Sequence, residues 1–201
     1  MCIMDSDVGR LKTRIEQLKN KFMAEQIRLE NTEPLNFEPD LELIAAFKLL
    51  CHAEIQEFLE KKAKNHIITV EKDVKENGLR TSYLMNVFAI AGACGESLSC
   101  KHPITTQSFK DNVTSLMSLA REKINNNNGV KERSFLMLSV MSGEIKEPFD
   151  QVLLNNLDSF GSARGDVAHS SVKSVSSINS PTSEVGYIDN ILKGFETHFS
   201  K

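Results

Sequence analysis

The sequence predicts an all-α protein, and three observations carry that prediction. Apolar residues recur at steps of three and four through several long segments, the spacing that lines one face of a helix. Trp is absent and Pro occurs five times, while Met, Leu, Lys and Glu recur, a balance that favours helix over sheet. Pro-containing, Asn/Gly-rich and Ser-rich stretches then separate the periodic segments. With 201 residues the chain is expected to form one domain with a real core, spanning residues 1–201.

The first segment carries Val8, Leu11, Ile15, Leu18 and Phe22 on one stripe, with Arg and Lys between them, and predicts an amphipathic helix over 1–31. Pro34 and Pro39 end it. Asp40 can cap a second helix, expected to run to about His66, whose apolar face is Ile44, Phe47, Cys51, Ile55, Phe58 and Leu59. A third, from Leu79 to Leu98, shows Leu84, Val87, Phe88 and Ala91. Its small residues, Ala89 to Ala93 with Gly92, predict close approach of another backbone. A fourth spans Thr106 to Asn125 and is closed by the Asn/Gly run, whose residues tolerate the left-handed conformation. A short helix follows over Glu132–Ser142. The next runs from Phe149 to His169, with Val152, Leu153, Leu157, Phe160, Val167 and Ala168 as expected core. Gly161 and Gly165 weaken it, and such a weakness is expected to reflect close packing or ligand approach. Residues 170–183 contain seven serines and read as a loop. The last helix, 184–199, shows Val185, Ile188, Leu192, Phe195 and Phe199. The expected architecture is a helical bundle with extra helices at its rim.

Composition narrows the function classes. The formal net charge is −3 and no Lys/Arg-rich run occurs, so strong non-specific attraction to nucleic acid is not expected, and any RNA contact must be local. The four cysteines form no CxxC pair. Cys94, Cys100 and His102 have the wrong spacing for a zinc knuckle, so free thiols and no metal are expected. No apolar run approaches a membrane span and no signal sequence is seen, which predicts a cytoplasmic protein without a membrane partner.

There is no Gly-rich phosphate loop, HExxH or nucleophile elbow. The segment that joins a permanent cation to a titratable imidazole is Ser162-Ala163-Arg164-Gly165-Asp166-Val167-Ala168-His169-Ser170. RNA cleavage by the ribose 2′-OH needs a base for the nucleophile and an acid for the leaving 5′-oxygen, and His serves as either. Arg stabilises the extra negative charge of the transition state, and no cofactor is required. On an unbroken helix the two lie about 140° apart around the axis. Either Gly165 lets the helix deform, or two copies of the motif meet across a symmetric dimer. Asp166 could pair with Arg164 or orient His169. Glu54, on the edge of the second helix's apolar face, reads most simply as half of an ion pair, and otherwise as a supporting carboxylate. The bare Arg-x4-His spacing is weakly specific.

Its context adds more. Asn128-Gly129-Val130-Lys131-Glu132, the short apolar helix after it, and Leu157-Asp158-Ser159-Phe160…Arg164-Gly165-Asp166-Val167-Ala168-His169-Ser170 resemble the RiboL-PSP-HEPN branch of the HEPN superfamily. The helix from Leu49 to Glu60 is also similar to an early helix of that family. The resemblance covers most of residues 40–170 and implies an antiparallel helical bundle, here with additional terminal helices, that dimerises. It also implies a metal-independent endoribonuclease with Arg164 and His169 as catalytic residues and Glu54 (or Glu57) as the nearby polar residue. Toxin–antitoxin or phage-defence roles, and hence an antitoxin or defence partner, follow from the same likeness. Members silenced by nucleotidyl transfer carry a Tyr two residues after the His, where this chain has Ser171. The alternative is a non-catalytic HEPN module that dimerises or docks on a partner protein; a plain structural bundle would leave the Arg/His pair and both glycines as coincidence.

Overall fold

The computed structural model describes residues 7–78, 81–96, 105–145, 148–169 and 179–199, with 81–83 and 165–169 described by backbone alone. The described residues form eight α-helices and no strand: α1 Asp7–Phe22, α2 Ala24–Thr32, α3 Leu41–Asn77, α4 Thr81–Cys94, α5 Thr106–Asn125, α6 Glu132–Met141, α7 Gln151–His169 and α8 Pro181–Phe199. The protein is all-α, as the apolar periodicity predicts. Among the described residues no helix is long and apolar enough to cross a membrane.

The chain forms two compact units, interleaved in sequence. One comprises residues 1–58, 129–132 and 148–201; the other comprises residues 59–128 and 133–147. In the first, α8 packs against α1, α2 and α7. Its core joins Val8, Leu11, Ile15 and Leu18 of α1, Ile44, Phe47, Cys51 and Ile55 of α3, Leu153, Leu157 and Phe160 of α7, and Ile188, Leu192 and Phe195 of α8. Phe58 stacks on Phe195 with ring centroids 5.8 Å apart and meets the edge of Phe199 at 5.3 Å. In the second unit α4 packs on α5. Buried there are Ala63, Ile67, Val70 and Val74 of α3, Val87 and Ile90 of α4, Val113, Met117 and Ala120 of α5, and Phe135 and Leu138 of α6. Glu71 ties α3 to α5 by pairing with Arg121, and also takes Lys75 at 2.6 Å.

Helix ends follow local chemistry. Asp40 Oδ1 accepts from the backbone N–H groups of Glu42 and Leu43, both at 3.0 Å, and so starts α3 as expected. Thr105 and Ser108 form a reciprocal cap at the start of α5. α4 ends at Gly95 (φ 71°) and α6 at Gly143 (φ 80°). At each, the glycine N–H and the next N–H reach back to carbonyls of the last turn: Gly95 to Gly92 and Glu96 to Ala91, both 2.9 Å, and Gly143 to Val140 and Glu144 to Ser139, both 3.1 Å.

Several boundaries differ from expectation. The first helical segment bends at Met23, which is fully buried; the hydrogen-bond ladder is carried across it by Met23 N–H to Lys19 O (2.8 Å) and Ile27 N–H to Met23 O (2.9 Å). α3 does not end near His66: Ile67, Val70 and Val74 prolong its buried stripe until Gly78, at φ 71°, stops it. α4 ends at Cys94 instead of Leu98. α5 ends where predicted, but its cap residue Asn126 has φ −89°, so no left-handed residue is used there. The last helix begins at Pro181, because Ser180 caps it and Pro suits the first helical position; the remainder of the Ser-rich stretch, 170–178, lies outside the described residues. Two expected core residues face solvent, Phe88 (56% exposed) and Val152 (68%). Each sits about 100° around its helix from a buried neighbour, Val87 and Leu153. A Cβ on Gly92 would meet nothing within 4 Å, so no backbone approaches there.

Candidate functional site

The motif lies on α7, whose start is fixed by Asp150: its Oδ1 accepts from Val152 N–H at 2.9 Å. Leu153, Leu157 and Phe160 bury one face of the helix, and Arg164, one turn beyond Phe160, continues that face as a half-buried side chain. The helix persists through Gly165 to His169. Gly165 therefore does not break it, and by helix geometry the Arg164 and His169 positions stand about 140° apart around one axis. The side chains of Asp166, Val167, Ala168 and His169 lie outside the described residues.

The other glycine of this helix does reflect close packing. A Cβ on Gly161 would stand 2.6 Å from Lys131 Cγ and 3.4 Å from the Lys131 backbone nitrogen. Asp158, one turn before, accepts from Glu132 N–H at 3.3 Å. The 129–132 segment, part of the sequence pattern that carries the family resemblance, is thus docked against the motif helix.

Opposite Arg164 stands a residue that the sequence did not single out. His52 of α3 is 2% exposed, and its ring lies against Phe160 with centroids 5.7 Å apart and planes tilted by 33°. Burial and the nearby Arg164 charge, in that order, push its imidazole down to about 4, so it is neutral at physiological pH. No ion pair joins Arg164 to another described residue. Arg10, Arg14, Arg28 and Arg121 are each paired with a carboxylate, whereas the exposed Arg133, like Arg164, has no ion pair with a described residue. Among the described residues, the Arg164 guanidinium is a cation whose field acts on a neutral ring.

One turn before His52, Lys48 is buried in an ion pair with Glu184 of α8 at 2.9 Å, the two side chains 3% and 2% exposed. The same Glu184 oxygen accepts from Asn179 N–H and Asn179 Nδ2, both at 3.0 Å. α3 thus carries two polar side chains, Lys48 and His52, into the interior on consecutive turns. Both were visible as polar interruptions of an apolar stripe, the only signal that could have flagged them.

Glu54 forms the ion pair anticipated for it, accepting from Arg14 Nε of α1 at 2.8 Å. Two residues past His52, it lies about 200° around α3 from that imidazole. Glu57 is exposed. Cys51 and Cys94 are free and buried, and burial raises both thiols; Cys100 and His102 lie outside the described residues. Among the described residues no group of three or more His, Cys, Asp or Glu side chains could hold a metal ion. No family model matches the chain, and neither a curated protein nor a solved structure matches it.

Proposed function

We propose that the protein is a metal-independent endoribonuclease of the HEPN type, in which Arg164 holds the scissile phosphate and His169 transfers protons. The observation that carries this reading is the state of Arg164: a half-buried guanidinium on the motif helix, without a carboxylate partner among the described residues and facing the neutral His52. A cation so held keeps its charge available for a phosphate, where its planar fork can stabilise the oxygens that gain charge. With the two motif positions about 140° apart on one helix, two copies related by a two-fold axis would bring an Arg164 and two His169 side chains to one scissile bond. One histidine would then take the 2′-OH proton and the other protonate the leaving 5′-oxygen. The reading extends to RNA as substrate, a homodimer as the working form, and a toxin–antitoxin or phage-defence setting with a cognate protein partner.

Purified wild type, Arg164→Gln and His169→Ala incubated with mixed RNA in excess EDTA give the test. Wild type should leave fragments ending in 2′,3′-cyclic phosphate, and both variants should lose at least ~100-fold in rate while retaining their melting temperature. Equal cleavage by all three proteins would remove the site assignment. No cleavage by any of them would favour the alternative, a dimerising or docking module.

A further inference from the structure

We infer that phosphate binding at Arg164 is linked to protonation of the buried His52, so that the site grips a phosphodiester more tightly as pH falls. The inference rests on the reading of Arg164 as a phosphate ligand and adds its regulation by pH.

The geometry has three parts. Phe160 and Arg164 are one turn apart on α7, and the His52 ring lies against Phe160, so His52 faces the surface of α7 that presents the guanidinium. His52 is almost wholly buried, which makes its charged form sensitive to any nearby charge. Among the described residues of α3 near it, the charged groups are paired elsewhere. Lys48, one turn earlier on α3, is held by Glu184 of α8, and Glu54, on the far side of α3, is held by Arg14 of α1. Gln56, one turn later, carries no charge. Among the described residues, Arg164 is the charged group that acts on the imidazole.

A phosphodiester seated on the guanidinium brings a negative charge beside that cation. The unfavourable field at His52 is then offset, and the imidazole takes up a proton from solvent. By linkage the reverse holds equally: protonated His52 favours the anion. No covalent bond changes; the ring takes up from water a fraction of a proton for each phosphate bound, a fraction that grows as pH falls toward the ring's own titration range.

The probe is a 2′-O-methyl oligouridine. It lacks the nucleophilic hydroxyl and cannot be cleaved by that route, and neither its phosphodiesters nor its bases titrate over the range used. Binding to the full chain is measured by fluorescence anisotropy at about pH 7, 6 and 5, for wild type, His52→Gln and Arg164→Gln, with melting temperatures as a check on folding. Wild type should bind about twofold more tightly at the lowest pH than at the highest, beyond any change shared by the variants, because burial, the larger cause of the lowered imidazole, is not relieved by the phosphate. Both variants should lose that excess. The His52 ring protons, followed by NMR in wild type alone, should titrate at higher pH with saturating oligonucleotide than without it; this readout needs no substituted protein. An unchanged pH dependence in His52→Gln, or a His52 titration indifferent to the oligonucleotide, would overturn the linkage even if wild type cleaves RNA. Proton-linked binding without cleavage of ordinary RNA would keep the linkage and remove the enzyme. Absence of Arg164-dependent binding would remove both.

Discussion

At His52, burial and a neighbouring cation act on one side chain in the same direction. Its imidazole titrates near 4 in the folded chain, against an ordinary value of 6.5. As pH falls below 6.5 the unfolded chain takes up this proton while the folded chain does not. Over that interval the unfolded state binds more protons, so stability is full above the ordinary value and is lost as pH falls toward the folded one. The difference corresponds to roughly 3 kcal/mol at most. Burial lowers His66 in the same sense, against an opposing effect of Glu144, and its Nε2 has no hydrogen-bond partner among the described residues. Urea unfolding of wild type between about pH 6.5 and 5 should therefore show stability declining with pH, above the range in which Glu30 and Glu71, both lowered, lose their carboxylate charge. His52→Gln should flatten that decline. An equal slope in both proteins would mean that the ring is not buried neutral. The sequence offered His52 only as one residue of an amphipathic helix; its partner Phe160 lies far along the chain, and no local pattern announces such a contact.

Among the helices, α3 has the most to reconcile. Its apolar face was legible in full through Ile44, Phe47, Cys51, Ile55, Phe58 and Leu59, all buried. Lys48 enters the same interior because Glu184 of α8 meets it there. Two charges withdrawn from water need each other: Lys48→Met should cost about 3–5 kcal/mol by leaving a buried carboxylate uncompensated, whereas Lys48→Met with Glu184→Leu should be far milder. Chemical denaturation of the two singles and the double checks this, and equal losses in single and double variants would contradict it. The approach of α7 to α8 rests on Gly194, where a Cβ would stand 2.7 Å from Leu153 Cδ1 and 3.2 Å from Leu153 Cβ. Gly194→Ala should therefore destabilise by about 1–3 kcal/mol despite its better helix propensity. Gly161→Ala should destabilise less, by about 0–1 kcal/mol, since the close atom is Cγ of an exposed lysine that can turn partly away and the gain in helix propensity offsets part of the cost. Thermal melts of the two variants side by side would decide it, and a greater loss at Gly161 would reverse the ranking.

For the whole molecule, charge sets the terms of any encounter with RNA. A net charge of −3 with no basic tract permits few simultaneous phosphate contacts. The logarithm of binding to single-stranded RNA should fall with the logarithm of salt at a slope no steeper than about −3, as for a handful of contacts. A slope near −6 would reveal an extended basic track that this chain does not display, and would move the binding surface away from a single Arg164-centred site. The sequence by itself determined the fold class, most of the apolar faces and the cap at Asp40, because these depend on residues within a turn or two of one another. It also offered Arg164 as a candidate, through a cation and an imidazole a few positions apart, a local but weakly specific signal. The bend at Met23, the length of α3, the exposure of Phe88 and Val152, and the neutral histidine set against the motif arginine were decided only in the tertiary structure. Each depends on which distant surface arrives opposite a given side chain, and sequence spacing along one helix carries no information about that arrival.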